Sequence, residues 1–455
     1  MPTQSFVSRL FPKLTSYSFK VGEKFVLLIT FLLIATAVGA AFLLQPYFEE
    51  VRNERMSNFW GNLLWYISVT LLVFKLLFLG YLFYLYNKYK ATKAVDNIHL
   101  PTCTVIVPAY NEGKLVYETL LSIANSDYPS EKLQILSLDD GSKDDTWFWM
   151  QQAKKELGDR VAILQQPKNM GKRHALYRGF HLGTGEVFVT IDSDSLIEYN
   201  TLKNLVSPFV SNPLCGAVAG NVKVLNAKDS LIPRMLNVSF AYSFEFIRSA
   251  QSVLGSVLCT PGALAAYKRD AVMHCLEDWM QQTFMGNPSD IGEDRAMTNM
   301  ILKQGYHVVF QKNAIVLTNT PEKYKNLYKM FIRWERSNVR ENIMMSKFAF
   351  ANFREGSKIG TRVILLNQWL NVVMSYPILL MMLFFVITHP IIFLSTTLIG
   401  ILIFSSIQAI FYAKYHQISD SLWAYPYSLF YTFTLFWITP YAIATANKSG
   451  WLTRG

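Results

Sequence analysis

Hydrophobic positions divide this chain into two apolar ends and an alternating centre. Near the N-terminus, residues 25–44 and 63–84 are each long enough to cross a hydrocarbon core, which takes roughly 20 apolar residues as a helix. Three more apolar stretches follow Arg362, at residues 363–388, 391–413 and 425–446. The pattern predicts membrane helices on both sides of a more polar central region.

The distribution of charge around the first two stretches indicates their orientation. The segment before the first stretch and the segment after the second carry the basic residues Arg9, Lys13, Lys20, Lys24, Lys88, Lys90 and Lys93. The expected loop between the stretches, residues 49–55, is net acidic. Because basic flanks stay on the cytoplasmic side, the two helices should enter and return, which leaves the central region in the cytosol.

Two features of the apolar ends leave alternatives open. Ala35-Thr36-Ala37 resembles a signal-peptide cleavage site, but the apolar run continues past it, which favours an uncleaved anchor. If all three C-terminal stretches crossed, the tail would lie outside, yet residues 448–454 are basic. Prolines also interrupt these stretches, so one of the three is expected to be re-entrant or interfacial.

The central region, from Thr102 to about Leu317, alternates short β-rich runs with helical stretches. Strands are predicted at 103–107, 133–138 and 187–191, and helices at 114–126 and 146–157. This alternation is typical of an α/β domain with a mostly parallel sheet. Polar clusters follow all three strands, and ligands bind at the carboxyl ends of the strands in such sheets.

Composition narrows the class of protein. The 455-residue chain is 51% hydrophobic and only 16% charged, which favours a membrane protein. The formal charge of +11 does not indicate a nucleic-acid partner, because the basic residues gather beside apolar stretches without an aromatic-and-arginine module. The four cysteines lack Cys-x-x-Cys spacing, so neither zinc nor a disulfide framework is predicted.

Carboxylates after the predicted strands are candidates for binding a nucleotide and a metal. Asp192 and Asp194 alternate just past a strand, so one can meet a ribose while the other holds Mg²⁺ or Mn²⁺ on a diphosphate. The segment Asp139-Asp140-Gly141-Ser142 is by itself an ordinary turn. The basic loop ending at Lys172 and Arg173 suits phosphates, although a solvated loop is an equal alternative.

A third acidic cluster and a basic aromatic segment follow. Glu293 and Asp294 open a predicted helix at 295–303, where acidic residues are also common as caps. Asp294 is the preferred candidate for the base that deprotonates an acceptor hydroxyl. Arg333-Trp334 either contacts the acceptor sugar and diphosphate or anchors the chain at the membrane interface. Helical spacing places Arg336 and Arg340 on the same side as Arg333.

Residues 232–251 form an amphipathic apolar segment with few charges, among them Arg248. Docking at the membrane surface and burial as a core helix are both compatible with it.

In this order, five motifs resemble those of membrane-bound processive glycosyltransferases of family 2, the group that includes hyaluronan, chitin and type 3 capsular polysaccharide synthases. They are Pro108-Ala109-Tyr110-Asn111-Glu112, Asp139-Asp140-Gly141-Ser142, Asp192-Ser193-Asp194, Gly292-Glu293-Asp294-Arg295 and Arg333-Trp334. Cys259-Thr260-Pro261-Gly262 is similar to their acceptor-site loop, and Trp451-Leu452-Thr453-Arg454 to their C-terminal tail. The resemblance implies a Rossmann-like GT-A catalytic domain between membrane helices.

The resemblance also implies a role for each matching residue. The donor nucleotide-sugar would be bound by Tyr110, Glu112, Asp140, Lys172, Arg173 and Asp192. Asp194, with Asp192, would bind the metal, and Asp294, with Glu293 beside it, would carry the catalysis. Contacts to the acceptor or gating of the channel would come from Cys259, Arg333, Trp334, Arg336, Trp451 and Arg454. Two positions depart from the family pattern: Met330 replaces a glutamine and Ala296 replaces a histidine.

The sequence therefore predicts a multi-pass synthase of the inner or plasma membrane. It would take UDP-sugars from the cytosol, with N-acetylglucosamine or glucuronate or both favoured, and extend a β-linked polysaccharide that passes across the bilayer. A non-processive transferase that loads one sugar onto a lipid carrier is the alternative. The expected divisions are residues 1–94 with two membrane helices, 95–320 as the cytosolic GT-A domain, 321–361 as interfacial helices, and 362–455 as the C-terminal membrane region and tail.

Overall fold

The computed structural model describes residues 19–448, without the side chains of residues 19–23 and Arg55. The strands are β1 Cys103–Ala109, β2 Leu133–Asp139, β3 Val161–Gln165, β4 Val187–Ile191, β5 Ser195–Ile197, β6 Cys215–Val224, β7 Leu264–Lys268, β8 Thr283–Phe284, β9 Asn287–Pro288 and β10 His307–Thr318.

Helices surround the strands and extend the chain at both ends. They are α1 Phe19–Leu43, α2 Gln45–Met56, α3 Phe59–Lys88, α4 Leu115–Ala124, α5 Thr146–Leu157, α6 Lys172–Leu182, α7 Thr201–Ser211, α8 Leu231–Phe240, α9 Arg248–Val253, α10 Arg269–Met280, α11 Glu293–Lys303, α12 Tyr324–Ala349, α13 Ile359–Thr388, α14 Pro390–Tyr415, α15 Ile418–Ser421, α16 Ala424–Thr434 and α17 Ile438–Ala444. A π-helical segment, Ala241–Ile247, joins α8 to α9.

An eight-stranded sheet forms the centre of the fold, in the order β3-β2-β1-β4-β7-β6-β10-β5. Strand β1 pairs in parallel with β2 on one side and β4 on the other, whereas β7 runs antiparallel to β4 and β6. Four of the seven strand pairings are parallel. The fold is thus an α/β domain with a mostly parallel sheet, as predicted.

Both faces of the sheet are covered. Every residue of β1 is buried, and its side chains alternate between two hydrophobic cores: Val105 and Val107 belong to one, and Ile106 to the other. This follows from the two-residue period of a strand. A strand buried on both faces explains why the β1 sequence is continuously apolar and lacks an alternating polar pattern.

Four helices in the described part of the chain are long and apolar enough to cross a membrane: Lys24–Leu43, Phe59–Lys88, Ile359–Thr388 and Pro390–Tyr415. The third C-terminal stretch is different, because it breaks into the short helices α16 and α17. The acidic segment expected as a loop after the first stretch is instead the helix α2. As a helix, this polar segment pairs its backbone N–H and C=O groups with each other, except at the two ends.

Polar contacts join the membrane helices to one another and to the sheet. Lys75 of α3 donates to the side-chain oxygens of Asn367 (2.7 Å) and Asn371 (2.6 Å) on α13. Buried Glu245, in the π-helical segment, lies 2.8 Å from the Lys312 ammonium of β10 and 3.2 Å from the His416 ring nitrogen after α14. The segment 231–253 packs between the sheet and helices α14 and α16, so burial is the better description of it.

Candidate active site

The carboxyl ends of three adjacent strands bring the predicted polar loops together. Strand β1 ends at Ala109, β2 at Asp139 and β4 at Ile191, and β1 lies between the other two. Tyr110 and Glu112 follow β1, and Asp192 and Asp194 follow β4. The motifs that are separate in sequence therefore meet at one edge of the sheet, where an α/β domain binds its ligands.

The turn after β2 ties the first two loops to each other. Asp139 Oδ1 accepts hydrogen bonds from the backbone N–H (3.0 Å) and hydroxyl (2.5 Å) of Ser142. The Ser142 hydroxyl oxygen in turn accepts from the N–H of Asn111, and Asn111 Oδ1 accepts from the N–H of Lys143, both at 2.9 Å. Beside them, the N–H groups of Glu112 and Gly113 donate to Thr146 Oγ1. This loop pair is rigid at the edge where a base and ribose would lie.

Asp140 organises the loop that carries the basic residues. Its Oδ1 accepts from the N–H of Met170 (2.9 Å) and the Gln166 amide (2.8 Å), and its Oδ2 accepts from the N–H of Gly171 (2.8 Å). Burial raises the pKa of the Asp140 carboxyl, although these backbone donors oppose the rise. Its predicted contact with uridine stays a prediction, while its role in holding the loop before α6 is visible in the structure.

Lys172 lies at the centre of the site. Its ammonium is 2.5 Å from Asp192 Oδ1 and 3.2 Å from Glu293 Oε1, so it joins the loop after β4 to the start of α11. Burial alone would lower the pKa of Lys172, but the two carboxylates outweigh it and raise the pKa above its ordinary value. The Gly262 backbone lies so close that an added Cβ would be 2.7 Å from the ammonium. The site thus holds a permanent positive charge beside Asp192.

Asp294 is held at the other end of the same pocket. Its Oδ1 accepts from the N–H of Arg295 (2.7 Å), and its Oδ2 accepts from the N–H of Gly262 (3.2 Å) and lies 3.7 Å from the Cys259 thiol. Only the contact with Arg295 is local to the helix, so Asp294 is more than a cap for α11. Burial, together with the charge of neighbouring Glu293, raises the pKa of the Asp294 carboxyl.

The adjacent Glu293 has the opposite electrostatic preference. Burial favours its neutral form, but the ammonium of Lys172 outweighs burial and holds the pKa of the Glu293 carboxyl below its ordinary value. The Glu293 carbonyl accepts from the Trp279 indole at 2.9 Å, which fixes the start of the helix. Of the two carboxylates, Asp294 therefore matches the predicted general base better, because its pKa is raised and it contacts the Cys259–Gly262 loop.

Gly292 sets the position of both carboxylates. Its φ of +78° is in the left-handed region, and a Cβ at this position would collide with the hydroxyl of Ser337 on α12. Glycine is therefore required at position 292 for two reasons: its left-handed backbone conformation and the lack of space for a Cβ. The close approach brings α11 against α12, the helix that carries Arg333 and Trp334.

The donor set around Asp192 and Asp194 fits a metal ion that is shared with a substrate. Asp194 Oδ1 is oriented by the hydroxyls of Ser195 (3.2 Å) and Thr318 (3.5 Å). In the described residues, no group of three or more His, Cys, Asp or Glu side chains could hold a metal ion. Mg²⁺ is commonly bound by one or two carboxylates together with substrate phosphates and water, and these two aspartates match that pattern.

Arg333 and Trp334 lie on two sides of α12. Burial and the charge of Glu293 raise the pKa of the Asp294 carboxyl overall, and the nearby guanidinium of Arg333 opposes that rise while it helps to lower the pKa of Glu293. Trp334 packs its ring 6.1 Å from Phe240 of α8 and 5.6 Å from Phe331. Arg333 thus acts on the two carboxylates of the site, while Trp334 packs among aromatic rings.

Arg336 and Arg340 are directed away from this pocket and hold the C-terminal chain. Arg336 Nε donates to Thr445 Oγ1 at 3.0 Å. Arg340 donates to the carbonyls of Ala446 and Lys448, both at 2.6 Å. Helical spacing did place these two arginines on one side of α12, but their partners are backbone and hydroxyl groups. The predicted gating role of Arg336 stays a prediction, and Trp451 and Arg454 lie outside the described residues.

Arg173 is a buried neighbour of the site. It donates to the carbonyl of Trp279 (2.6 Å) and to Gln282 (3.2 Å), and its guanidinium lies 4.9 Å from the Trp279 ring. Its contacts hold the start of α6, where Lys172 lies, against the C-terminal end of α10. Its predicted contact with a nucleotide stays a prediction.

Two functional residues were missed from the sequence. Trp279 holds the start of α11, and nothing in the α10 sequence distinguishes it from other core aromatics. Arg248 lies beside Cys259 and Asp294, and both groups raise its pKa although burial, the larger effect, lowers it. The available signal was an arginine in an apolar segment, since Arg248 is one of only two arginines in residues 232–251. Its guanidinium also lies over the Phe244 ring at 3.9 Å.

The two departures from the family pattern lie in apolar cores. Ala296 is fully buried on α11, and Met330 is 7% exposed on α12. Both side chains pack as ordinary core residues, so these positions contribute no polar group to the pocket.

Residues 101–337 match the family model described as glycosyltransferase like family 2. The matched segment is more than half of the chain. This protein belongs to the family 2 glycosyltransferases. The family predicted from the five motifs is confirmed, and the matched segment contains the site from Tyr110 to Arg333.

Curated relatives and a solved structure agree with this assignment. The chain is 33% identical over 255 residues to an N-acetylglucosaminyltransferase of Rhizobium meliloti (strain 1021), covering 56% of this chain and 59% of the relative. It is 32% identical over 291 residues to a hyaluronan synthase of Streptococcus pyogenes serotype M3, covering 63% and 66%. The chain thus spans about three-fifths to two-thirds of the length of these relatives.

The mannosyltransferase PcManGT from Pyrobaculum calidifontis, solved with GDP-Man and Mn²⁺, aligns over 93% of this chain and 98% of its own, with a TM-score of 0.52 and 19% identity. At this identity the likeness concerns the fold alone. Together with the sheet order, it confirms the predicted GT-A fold with apolar helices at both flanks.

Proposed function

We propose that this protein is a membrane-embedded, inverting, processive glycosyltransferase that polymerises UDP-sugars into a β-linked polysaccharide and passes the product across the membrane. The observation that carries the proposal is the pocket in which Lys172 joins Asp192 to Glu293 while Asp294 faces the Cys259–Gly262 loop. One end of the pocket suits a diphosphate and the other a nucleophilic hydroxyl. Relatives named as an N-acetylglucosaminyltransferase and a hyaluronan synthase support a sugar polymer as product.

Each residue has a separate task in this proposal. Tyr110, Glu112 and Asp140 border the base and ribose, and the positive charge of Lys172 lies where the leaving diphosphate develops charge. Asp294 accepts the proton of the acceptor hydroxyl, whose oxygen attacks the anomeric carbon from the face opposite the nucleotide. The bond to the nucleotide breaks as the new glycosidic bond forms, which inverts the anomeric centre.

Asp194 and Asp192 are the residues that would hold Mg²⁺ or Mn²⁺. The ion would neutralise charge on the diphosphate and stabilise the departing nucleotide. Asp192 already contacts the Lys172 ammonium, so the metal ion would be a second positive charge beside the one that the protein supplies.

Four membrane crossings would place the catalytic domain and the C-terminus on the same side. With an even number of crossings, the basic segments after α3 and near residue 448 both meet the positive-inside rule. We infer that this side is the cytosol, where UDP-sugars are available, and that α16 and α17 are interfacial.

A donor screen on the full-length protein reconstituted in lipid nanodiscs tests the proposal. UDP release is measured with UDP-N-acetylglucosamine, UDP-glucuronate, UDP-glucose and GDP-mannose, singly and in pairs, with Mg²⁺ or Mn²⁺. Products are then sized and digested with linkage-specific hydrolases. A polymer supports the proposal. A lipid that carries a single sugar would show the non-processive alternative, and no release with any donor would contradict both.

A further inference from the structure

Glu341 is a buried carboxylate behind the active site that the proposed mechanism does not use. It lies on α12, is only 2% exposed, and is not among the residues that line the pocket of Lys172 and Asp294. Among the described side chains, no lysine, arginine or histidine forms an ion pair with it. Burial of a carboxylate without an ion pair is unfavourable, so packing alone does not explain an acidic residue at this position.

Two side-chain amides donate hydrogen bonds to this carboxylate. Gln282, which follows α10, donates from Nε2 to Glu341 Oε1 at 2.8 Å. Asn299 of α11 donates from Nδ2 to Glu341 Oε2 at 2.7 Å and to the Glu341 carbonyl at 3.0 Å. Burial raises the pKa of the Glu341 carboxyl, and the two amide donors oppose the rise. The carboxylate thus joins α12 both to the end of α10 and to α11.

The direction of these hydrogen bonds is fixed from both ends of the network. Arg173 Nη1 can only donate, so Gln282 turns its oxygen toward Arg173, at 3.2 Å, and its NH₂ group toward Glu341. A backbone carbonyl can only accept, so the Asn299 group that faces the Glu341 carbonyl and carboxyl is also the NH₂ group. Glu341 must therefore accept at both oxygens. An ionised carboxylate does so, whereas a glutamine would replace one acceptor with a donor.

One arm of this network reaches the first turn of α6. Gln282 accepts from Arg173, which is the second residue of α6 and directly follows Lys172. Arg173 also donates to the carbonyl of Trp279 at 2.6 Å, so the start of α6 is tied to the end of α10 at two points. Loss of the Gln282 arm would remove one of these two points and loosen the helix turn that presents the Lys172 ammonium.

The other arm holds the helix that carries the proposed base. Asn299 follows Asp294 by little more than one turn of α11, and its two hydrogen bonds to residue 341 hold α11 against α12. Helix α12 also carries Arg333, whose guanidinium acts on the carboxylates at the start of α11. Glu341 is therefore the point at which the supports of Lys172 and Asp294 meet.

We propose that Glu341 is a positioning residue for catalysis, which holds Lys172 and Asp294 in the relative position that glycosyl transfer requires. The inference rests on the proposed function and deepens it, because it names a residue outside the pocket on which the rate depends. A displacement of about 1 Å in catalytic groups can cost on the order of 10²-fold in rate. Loss of the network should therefore lower kcat more than it changes the donor KM.

An exchange of the two side chains of the Gln282–Glu341 pair tests the proposal. Gln282→Glu alone places two carboxylates against each other without a donor, and Glu341→Gln alone offers one acceptor oxygen to two donors. Each single variant should lower kcat for UDP release by about 10- to 100-fold, with the donor KM within about threefold. In the double variant, the amide at position 341 donates to the carboxylate at position 282, which still accepts from Arg173. The double variant should regain kcat to within about threefold of wild type.

The assay uses the full-length protein in lipid nanodiscs, at a temperature where the unfolding curve of each variant shows that it is folded. A purely structural role would lower the unfolding temperature and leave kcat of the folded protein unchanged. Values of kcat within twofold of wild type in both single variants would therefore overturn the inference. A double variant no more active than the single variants would overturn it as well.

Ser346→Ala is the matched control on the same helix. It removes the hydrogen bond that the Trp369 indole of α13 donates to Ser346, which has no part in the network, and should leave kcat within about twofold. If a single variant does not fold, Gln282→Ala takes its place, because it removes only the arm to α6, and the same loss of kcat is expected. No UDP release by the wild-type protein with any donor would contradict the proposed function, and the inference with it.

Discussion

Asp294→Asn tests the proposed base most directly. The substitution keeps the shape of the side chain and one of its two acceptor oxygens, so one of the two hydrogen bonds from the N–H groups of Gly262 and Arg295 remains. The pocket should therefore remain largely assembled, and most of the loss of activity should report proton transfer. General base catalysis contributes roughly 10²- to 10⁴-fold, or about 3–5 kcal/mol of transition-state stabilisation, so kcat for UDP release should fall by that factor.

The assay is UDP release by reconstituted full-length protein at saturating donor, with the donor KM measured in parallel. KM should change less than about threefold, because the proposed function assigns Asp294, beside Cys259, to the acceptor and Lys172, beside Asp192, to the donor. Asp290→Asn is the matched control, since Asp290 is an exposed carboxylate on the same loop. A variant with at least half of the wild-type kcat would refute the assignment of Asp294 as the base.

The same variant has a predicted effect on stability. Burial raises the pKa of the Asp294 carboxyl in the folded protein, so the folded state binds its proton more tightly than the unfolded state does. Ionisation near neutral pH therefore costs stability, and this cost disappears only as pH falls below the unfolded pKa of about 3.9. The unfolding temperature of Asp294→Asn relative to wild type should therefore rise as pH increases from about 4 to 7, whereas a difference that does not change with pH would contradict this electrostatic account.

Three further predictions concern the rest of the pocket. Lys172→Met removes the ammonium that pairs with the buried Glu293 and the partly exposed Asp192, so it should abolish UDP release and destabilise the fold in chemical unfolding, by less than the roughly 3–5 kcal/mol expected for a fully buried pair. Gly292→Ala should lower the unfolding temperature by several degrees, because Gly292 has a positive φ and an added Cβ would collide with Ser337. Gly286→Ala is the control, because Gly286 has a similar φ but open space around it, so any further loss in Gly292→Ala is due to the collision. Chelation with EDTA should remove activity, and added Mn²⁺ or Mg²⁺ should restore it in the wild-type protein but not in Asp194→Ala. Activity that survives chelation would exclude a catalytic role for a divalent metal ion.

The strands that carry the site could be predicted because nearly all of their residues are buried. Strands β1, β2 and β4 are short apolar runs that end at polar loops, and the structure places them within two residues of the predicted bounds. Strand β7 could not be placed in this way. It inserts antiparallel between β4 and β6, and pairing between distant segments depends on tertiary packing, which no local pattern encodes.

Contacts within the site show the same limit. The order of the acidic motifs indicated which residues belong together, but not that Lys172 joins Asp192 to Glu293 across more than 100 residues of sequence. Arg336 was grouped with Arg333 because helical spacing reports only a shared face. The partners of that face come from the C-terminal segment, which packs against α12 only in the folded chain.

Glu293 and Asp294 differ in their protonation preference because only Glu293 forms an ion pair with Lys172. Glu293 and Asp294 are consecutive carboxylates in the same backbone turn, so the sequence alone gives no reason for them to differ. The Lys172 ammonium lies 3.2 Å from Glu293 Oε1, and Glu293 is thereby held ionised. Its fixed negative charge, added to burial, then favours the protonated form of Asp294. A base must take up a proton in the transition state, and Glu293 makes that step easier for its neighbour. This predicts that Glu293→Gln would lower the pKa of Asp294 and shift the acid limb of the pH-rate profile to lower pH, an effect that a purely structural Glu293 would not produce.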